Sequence, residues 1–165
     1  VTGEIGGARR GFAARAAGQE SPHLAALLEP ELPPLEAGGL ISEVATAAMD
    51  VSDGLLGDAL QLAEASGLAA EVQLDAVPFA GGAASAAEAV DLASWGDDYQ
   101  LMFTVPVGKR DVLLRLAELK QVRISRIGRV REGRGLGASW HEEAVNLPET
   151  IGFEHGGIGM PATRP

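Results

Sequence analysis

Apolar and polar positions recur with two different periods along the chain. From Gly54 to Ser66 the apolar residues stand at positions 55, 56, 59, 60 and 63, a spacing that places them on one side of a helix. Gly67 follows where a glycine commonly ends a helix. Comparable patterns predict further helices near 8–17 and 23–28, from 35 to about 46, from about 82 to 92, and over 109–119.

Short apolar runs between these helices predict strands. The runs are "VATAAM" at 44–49, "AAEVQLDAV" at 69–77, "QLMFTV" at 100–105 and "VRISRIGRV" at 122–130. Glycine and arginine dominate 132–137, which predicts a turn or a mobile loop. Strands separated by helices indicate an α+β (layered α/β) domain with a mixed sheet packed against helices. No repeat or linker divides the chain, so we expect a single domain over 1–165 with a disordered tail at 156–165.

Charge and composition narrow the classes of partner. Acidic residues outnumber basic ones 23 to 13, and this excess disfavours a nucleic acid or an anionic membrane as partner. The arginines of "RISRIGRVREGR", at 123–134, are spaced as on a solvated strand face. The chain has no cysteine, which suits a cytoplasmic protein, and no apolar run approaches the ~20 residues of a membrane helix.

The stretch "MDVSDGLLGD", at 49–58, concentrates acidic residues where a strand meets a helix. Asp50 is expected at the end of the strand, and Ser52 and Asp53 in the N-cap region of the helix. Helix N-termini favour phosphate, and two carboxylates three residues apart could bind Mg²⁺ that also contacts nucleotide phosphates. The alternative is structural: Ser52 or Asp53 caps the helix, and Asp50 lies in a turn.

A second acidic cluster lies in "SWGDDYQLMFTV", at 94–105. Asp97 and Asp98 precede a strongly apolar strand and adjoin Tyr99, the only tyrosine of the chain. These acids could be solvated residues that protect a strand end, and Tyr99 could lie at the edge of the core. Because both clusters stand at strand boundaries, we predict that they share one site.

Four motifs in the same order resemble the C-terminal half of the thiamine-monophosphate kinase family. The motifs are "AMDVSDGLLGDALQLAEASGLAAEV", "GDDYQLMFTV", the opening "VTGEIGGARRGFA" and the closing "IGFEHG". The resemblance implies a fold like the C-terminal domain of aminoimidazole ribonucleotide synthetase. It also implies that the chain is the C-terminal half of a two-domain enzyme. The opening "VTG", without an initiator methionine, likewise suggests that an N-terminal piece is missing.

The resemblance further implies an activity and a set of site residues. The reaction is transfer of a phosphoryl group from ATP to thiamine monophosphate, giving thiamine diphosphate. The missing half would supply most of the ATP site and form a homodimer. Asp50 and Asp53 would bind Mg²⁺, Ser52 would contact ATP, and Asp97 and Phe153 would contact thiamine monophosphate. No residue is predicted as a catalytic base, because the acceptor is already an anionic phosphate.

The chain also departs from the family pattern, and two other interpretations stay open. Asp97 and Gln100 stand where the family has glutamate, Trp95 replaces a glycine, "EPELPPLEAGG" lacks an arginine after its prolines, and Gly156 replaces an aromatic residue. One alternative is another member of the superfamily, such as a selenophosphate synthetase, a hydrogenase-maturation protein or a purine-pathway synthetase. The other is a non-catalytic binding or dimerisation module.

Overall fold

The computed structural model describes residues 1–148 and residue 151. In chain order its elements are α1 (Gly7–Ala16), α2 (Leu24–Leu28), α3 (Leu35–Val44), β1 (Ala47–Asp50), α4 (Leu55–Ala65), β2 (Leu68–Gln73), α5 (Ala86–Ser94), β3 (Leu101–Thr104), α6 (Arg110–Leu119), β4 (Gly128–Glu132), β5 (Gly135–Trp140) and β6 (Glu143–Val145). Short 3₁₀ turns follow β2 and precede α6. Helices and strands therefore alternate from α3 to β4, as the sequence predicts, between two further helices at the start and two further strands at the end.

The larger sheet is mixed. Its strand order is β4-β2-β5-β6, in which β2 runs parallel to β5 while the β2–β4 and β5–β6 pairs are antiparallel. A separate ladder joins β1 to β3 in antiparallel register, with Asp50 opposite Leu101. Together with the packed helices, these sheets confirm the predicted α+β class. The pairing of β1 with β3 brings the ends of both acidic motifs to the same place.

Two apolar clusters form the core. The larger lies between α4 and the mixed sheet, and it buries Leu55 and Leu56 of α4 against Val72 of β2. The apolar stripe predicted for 54–66 is the face of α4 that is buried here. The smaller cluster packs α3 on α6 through Leu40 and Leu113. The first turn of α4 is anchored in the larger cluster. The end of the loop that leads into α4 is therefore fixed in position.

Several predicted boundaries are wrong, chiefly after residue 120. The strand expected at 122–130 is present only from Gly128 as β4, and Ile124 makes an isolated bridge with Thr2. The loop expected at 132–137 includes the start of β5. Gly133 and Gly135 adopt positive φ angles of 124° and 90°, which turn the chain sharply so that β5 can pair with β2. Because glycine and arginine dominate this stretch, its sequence pattern did not predict β5.

Smaller corrections concern helix ends and the last residues. Helix α3 ends at Val44 because Ala45 is extended, and the predicted helix at 82–92 begins only at Ala86, where Ser85 accepts a hydrogen bond from the Glu88 N–H. The tail at 156–165 and Phe153 lie outside the described residues. Within residues 1–148, every helix is too short or too polar to span a membrane.

Candidate functional site

The loop between β1 and α4 carries the first acidic motif. Asp50 is exposed at the last position of β1, and Val51 is fully buried beneath the loop. Helix α4 begins at Leu55 with Gly54 as its N-cap residue, so Ser52 and Asp53, which were predicted in the N-cap region, lie just before the cap. Gly54 has a φ of 118°, a conformation that favours glycine. The loop therefore reaches α4 through a glycine turn.

Asp58, which is not among the predicted site residues, holds this loop from inside. Its side chain is 2% exposed, and one carboxylate oxygen accepts hydrogen bonds from the backbone N–H groups of Ser52 at 3.0 Å and Asp53 at 3.2 Å. Burial raises the pKa of Asp58, while these two hydrogen bonds act in the opposite direction. The sequence did contain a signal for this role, because Asp58 stands among the apolar residues of an amphipathic helix. Such a residue needs a buried partner.

The second acidic motif lies directly against the first. The backbone N–H of Asp97 donates to the Ser52 carbonyl at 3.0 Å, and the N–H of Tyr99 donates to the Val51 carbonyl at 2.8 Å. A Cβ atom at Gly96 would lie 2.1 Å from the Ser52 carbonyl oxygen. The two segments therefore touch backbone to backbone. The structure thus brings the two predicted clusters together.

Three carboxylates influence the hydroxyl of Tyr99. This hydroxyl donates to Asp97 at 3.0 Å, and that hydrogen bond raises the pKa of Tyr99. The negative charges of Asp97, Asp50 and Asp53 raise it further. Asp97 and Tyr99 have φ angles of 69° and 51°, which non-glycine residues rarely adopt and which are found preferentially at functional sites. Asp50, Asp53 and Asp97, together with Tyr99, therefore form an acidic surface, and part of its backbone is strained.

Asp98 points away from this surface. It is buried, and both of its carboxylate oxygens accept from the backbone N–H of Gly6, at 3.0 and 2.9 Å, beside the start of α1. Burial raises the pKa of Asp98 to about 6, although hydrogen bonds from Gly6, Gly7 and Ala8 favour its ionised form. Adjacent acids in the sequence thus have different surroundings: Asp97 is exposed, and Asp98 holds the first turn of α1.

A cleft of about 650 Å³ adjoins the acidic surface. One side is formed by the segment that enters α1, and another by the proline-rich segment 30–34. Polar residues on its wall include Thr2, Glu4, Asp97, Gln100 and Arg123. A cleft of this volume is large enough for a small organic molecule.

The acidic surface can supply only part of a metal site. In the portion of the chain that the structure describes, no three histidine, aspartate or glutamate side chains are grouped so that they could hold a metal ion. Asp50 and Asp53 are nevertheless close enough to act electrostatically on both Tyr99 and Asp58. Mg²⁺ commonly takes one or two protein carboxylates and completes its shell with phosphate and water oxygens. The two aspartates fit that kind of shared site.

Sequence comparison identifies a matching family. The model of "AIR synthase related protein, C-terminal domain" matches residues 1–141. The thiamine-monophosphate kinase of Caulobacter vibrioides is 35% identical over 120 residues, which are 68% of this chain and 34% of that enzyme. This chain therefore spans about a third of the length of that relative.

Structure comparison agrees with the sequence. The fold is similar to a thiamine-monophosphate kinase from Stenotrophomonas maltophilia K279a, with a TM-score of 0.76 and 31% identity, over 88% of this chain and 50% of that one. It is also similar to AaThiL complexed with AMPPCP and TMP, with a TM-score of 0.70 and 26% identity, over 93% of this chain and 49% of that one. Similarity to HypE of E. coli, at 18% identity and a TM-score of 0.62 over 91% of this chain and 49% of that one, concerns the fold alone.

Proposed function

The chain belongs to the AIR synthase related protein family as a C-terminal domain, and from this membership we propose that it is the C-terminal part of a thiamine-monophosphate kinase. The reaction is transfer of the γ-phosphoryl group of ATP to the phosphate of thiamine monophosphate, in the cytoplasm. The observation that carries the proposal is the contact of the two acidic motifs, in which the Asp97 N–H donates to the Ser52 carbonyl.

We assign the phosphate end of the site to the loop after β1. Asp50 and Asp53 would hold Mg²⁺ against the phosphates, and Ser52 would contact ATP. When bound, Mg²⁺ neutralises charge on the phosphate oxygens during transfer. Asp58 supports this arrangement because it fixes the backbone N–H groups of Ser52 and Asp53 from below. The AaThiL complex with AMPPCP, an analogue of ATP, supports nucleotide binding in this fold.

We assign the cleft beside Asp97 to the thiamine moiety. Thiamine carries a cationic thiazolium ring, and the exposed carboxylate of Asp97 on the cleft wall complements that charge. Phe153 would offer a stacking face to the ring system, as the family resemblance implies. The presence of TMP in the AaThiL complex supports a substrate site of this kind.

The remaining parts of the enzyme would come from outside this chain. The chain covers 34% of the Caulobacter enzyme and about half of the two solved kinases. We propose that a preceding N-terminal half supplies most of the ATP contacts and forms a homodimer. The limited number of metal ligands in the described residues fits this division. The 165-residue chain alone should therefore fold but not catalyse.

A kinase assay with two proteins tests the proposal. The 165-residue chain and the full-length protein that contains it are each incubated with ATP, Mg²⁺ and thiamine monophosphate, and thiamine diphosphate is measured against a boiled control. We expect product only from the full-length protein. Absence of product from the folded full-length protein would reject the kinase assignment. Product from the short chain would reject the division into two halves.

The assay also separates the alternatives. HypE of E. coli shares this fold at an identity that shows the fold alone. The second aspartate of "DVSDGL", Asp53, favours the thiamine-monophosphate kinase pattern over the other superfamily members. A non-catalytic module would bind nucleotide or substrate without turnover, which isothermal titration calorimetry on the full-length protein would reveal.

A further inference from the structure

Gln100 lies in a buried chain of hydrogen bonds that fixes the orientation of its side-chain amide. The backbone N–H of Leu101 donates to the Thr2 hydroxyl at 2.9 Å, and this hydroxyl donates to Gln100 Oε1, also at 2.9 Å. Thr2 is 1% exposed and Gln100 is 5% exposed. Since the Thr2 hydroxyl is the donor, the oxygen of the amide must face Thr2. The NH₂ group must therefore face the opposite side.

On that side the amide reaches the proline-rich segment 30–34. Gln100 Nε2 donates to the backbone carbonyl of Glu31. The segment has no strand or helix of its own between α2 and α3, and it forms a wall of the cleft. A Cβ atom at Gly3 would lie 2.2 Å from Gln100 Oε1, so the amide fills the space above this glycine. Thr2 and Gly3 thus confine the amide on two sides, and its bond to Glu31 attaches it to the proline-rich segment.

We infer that Gln100 is a positioning residue: its amide attaches the proline-rich segment to the sheet and thereby sets the shape of the cleft beside Asp97. A glutamine is needed for this role because an ionised glutamate has no proton to donate to a carbonyl oxygen.

Nuclear magnetic resonance of the isotope-labelled 165-residue chain tests the attachment directly. The Nε2 protons of Gln100 should exchange with solvent at least ~10-fold more slowly than those of Gln121, which lines the same cleft. The backbone amides of Glu31 and Leu32 should have order parameters near ~0.85, the value of a rigid backbone. Equal exchange rates, or order parameters below about 0.6, would overturn the inference.

Two matched substitutions separate the attachment from a change of charge. Gln100→Glu and Gln121→Glu each add one negative charge to the cleft wall. Only the first should lower the order parameters of Glu31 and Leu32, to below ~0.6. If both variants or neither loosen the segment, the inference fails. Should Gln100→Glu not fold, Thr2→Val and Thr2→Ser provide the same test, since only serine keeps the hydroxyl that orients the amide.

The effect on ligand binding rests on the proposed function and is measured in the full-length protein. Gln100→Glu should raise KM for thiamine monophosphate by roughly 10-fold with kcat within about 2-fold, while Gln73→Glu, at an exposed residue that ends β2 outside the cleft, leaves both within about 2-fold. A loosened segment with unchanged KM would overturn the positioning role. If the unaltered full-length protein has no kinase activity, the proposed function fails, whereas the resonance measurements still decide whether the attachment exists.

Discussion

The backbone N–H of Asp97 donates to the carbonyl oxygen of Ser52 at 3.0 Å. Together with the Tyr99–Val51 bond beside it, this bond joins the loop after β1 to the segment before β3, although 45 positions separate Asp97 from Ser52 in the sequence. The side chains of Asp50, Asp53 and Asp97 thereby act on one hydroxyl, that of Tyr99. The contact depends on Gly96, which passes so close to Ser52 that no side chain fits between them.

Gly96→Ala should therefore separate the two segments. The added Cβ would lie 2.1 Å from the Ser52 carbonyl oxygen, and overpacking of this kind costs about 1–3 kcal/mol. Urea unfolding of the 165-residue chain measures the loss. Gly39→Ala in α3 is the control because nothing lies within 4 Å of its added Cβ, and it should stabilise the helix by roughly 0.5–1 kcal/mol. Similar stabilities for both variants would contradict the close approach.

Periodic patterns were sufficient for most elements of the fold. The stripe from Leu55 to Ala63 predicted α4 because its apolar face covers the sheet over three turns. The strand β5 was missed because Gly135 and Gly137 dilute the alternation of Leu136, Ala138 and Trp140, and its pairing with β2 is non-local. The meeting of the two acidic motifs was predictable from their positions at strand ends, and the β1–β3 ladder accounts for it.

The buried acids of the site were harder to foresee. Asp97 and Asp98 are chemically identical and adjacent, yet one is exposed and the other accepts from the N–H of Gly6. That difference depends on α1, which is about 90 residues earlier in the sequence. Asp58 gave a local signal, since an acid in an apolar stripe requires hydrogen-bond donors. Local patterns thus indicate that a partner is needed but do not identify it.

Asp53→Asn in the full-length protein should lower kcat on the order of 100-fold or more while the fold is retained. The variant loses a carboxylate charge that would help to hold Mg²⁺ against the phosphates in the transition state. Steady-state kinetics with varied Mg²⁺ provide the measurement. Asp111→Asn, an exposed acid in the first turn of α6, is the control and should leave kcat unchanged. An unchanged kcat with a lowered Tm for Asp53→Asn would instead indicate that Asp53 has a structural role in the loop.

Asp97→Ala and Phe153→Ala should each weaken recognition of thiamine monophosphate. We expect KM for thiamine monophosphate to rise about 5- to 30-fold, or roughly 1 to 2 kcal/mol, with KM for ATP nearly unchanged. Tyr99→Phe is a matched control, since it removes the hydroxyl that donates to Asp97 but keeps the carboxylate. Phe153→Tyr keeps the ring in the same way. Equal effects on both substrates, or none, would assign these positions a structural role.

Asp58→Ala should destabilise the loop that carries Ser52 and Asp53. Removing the carboxylate leaves two backbone N–H groups without their acceptor, at a cost of about 1–3 kcal/mol for each buried group left unsatisfied. Asp58→Asn keeps one acceptor oxygen and should lose less. Thermal unfolding compares the two variants. Equal Tm values for the alanine variant and the unaltered chain would show that the loop does not depend on Asp58.

Asp98 should make the stability of the chain depend on pH in an unusual direction. Burial raises its pKa to about 6 in the folded protein, whereas an aspartate in an unfolded chain has a pKa of about 3.9. Between these values the folded state binds more protons than the unfolded state, so this group lowers the free energy of unfolding as the pH rises. The two pKa values differ by about two, which corresponds to roughly 2–3 kcal/mol between pH 4 and pH 7.

Comparison with Asp98→Asn isolates this contribution, because asparagine does not titrate and all other groups are shared by both proteins. The free energy of unfolding of the unaltered chain minus that of the variant should fall as the pH rises from about 4 to 7, by up to ~3 kcal/mol. Urea unfolding at several pH values provides both curves. A difference that rises with pH would mean that the Gly6, Gly7 and Ala8 hydrogen bonds outweigh burial and that Asp98 is stabilised in its ionised form.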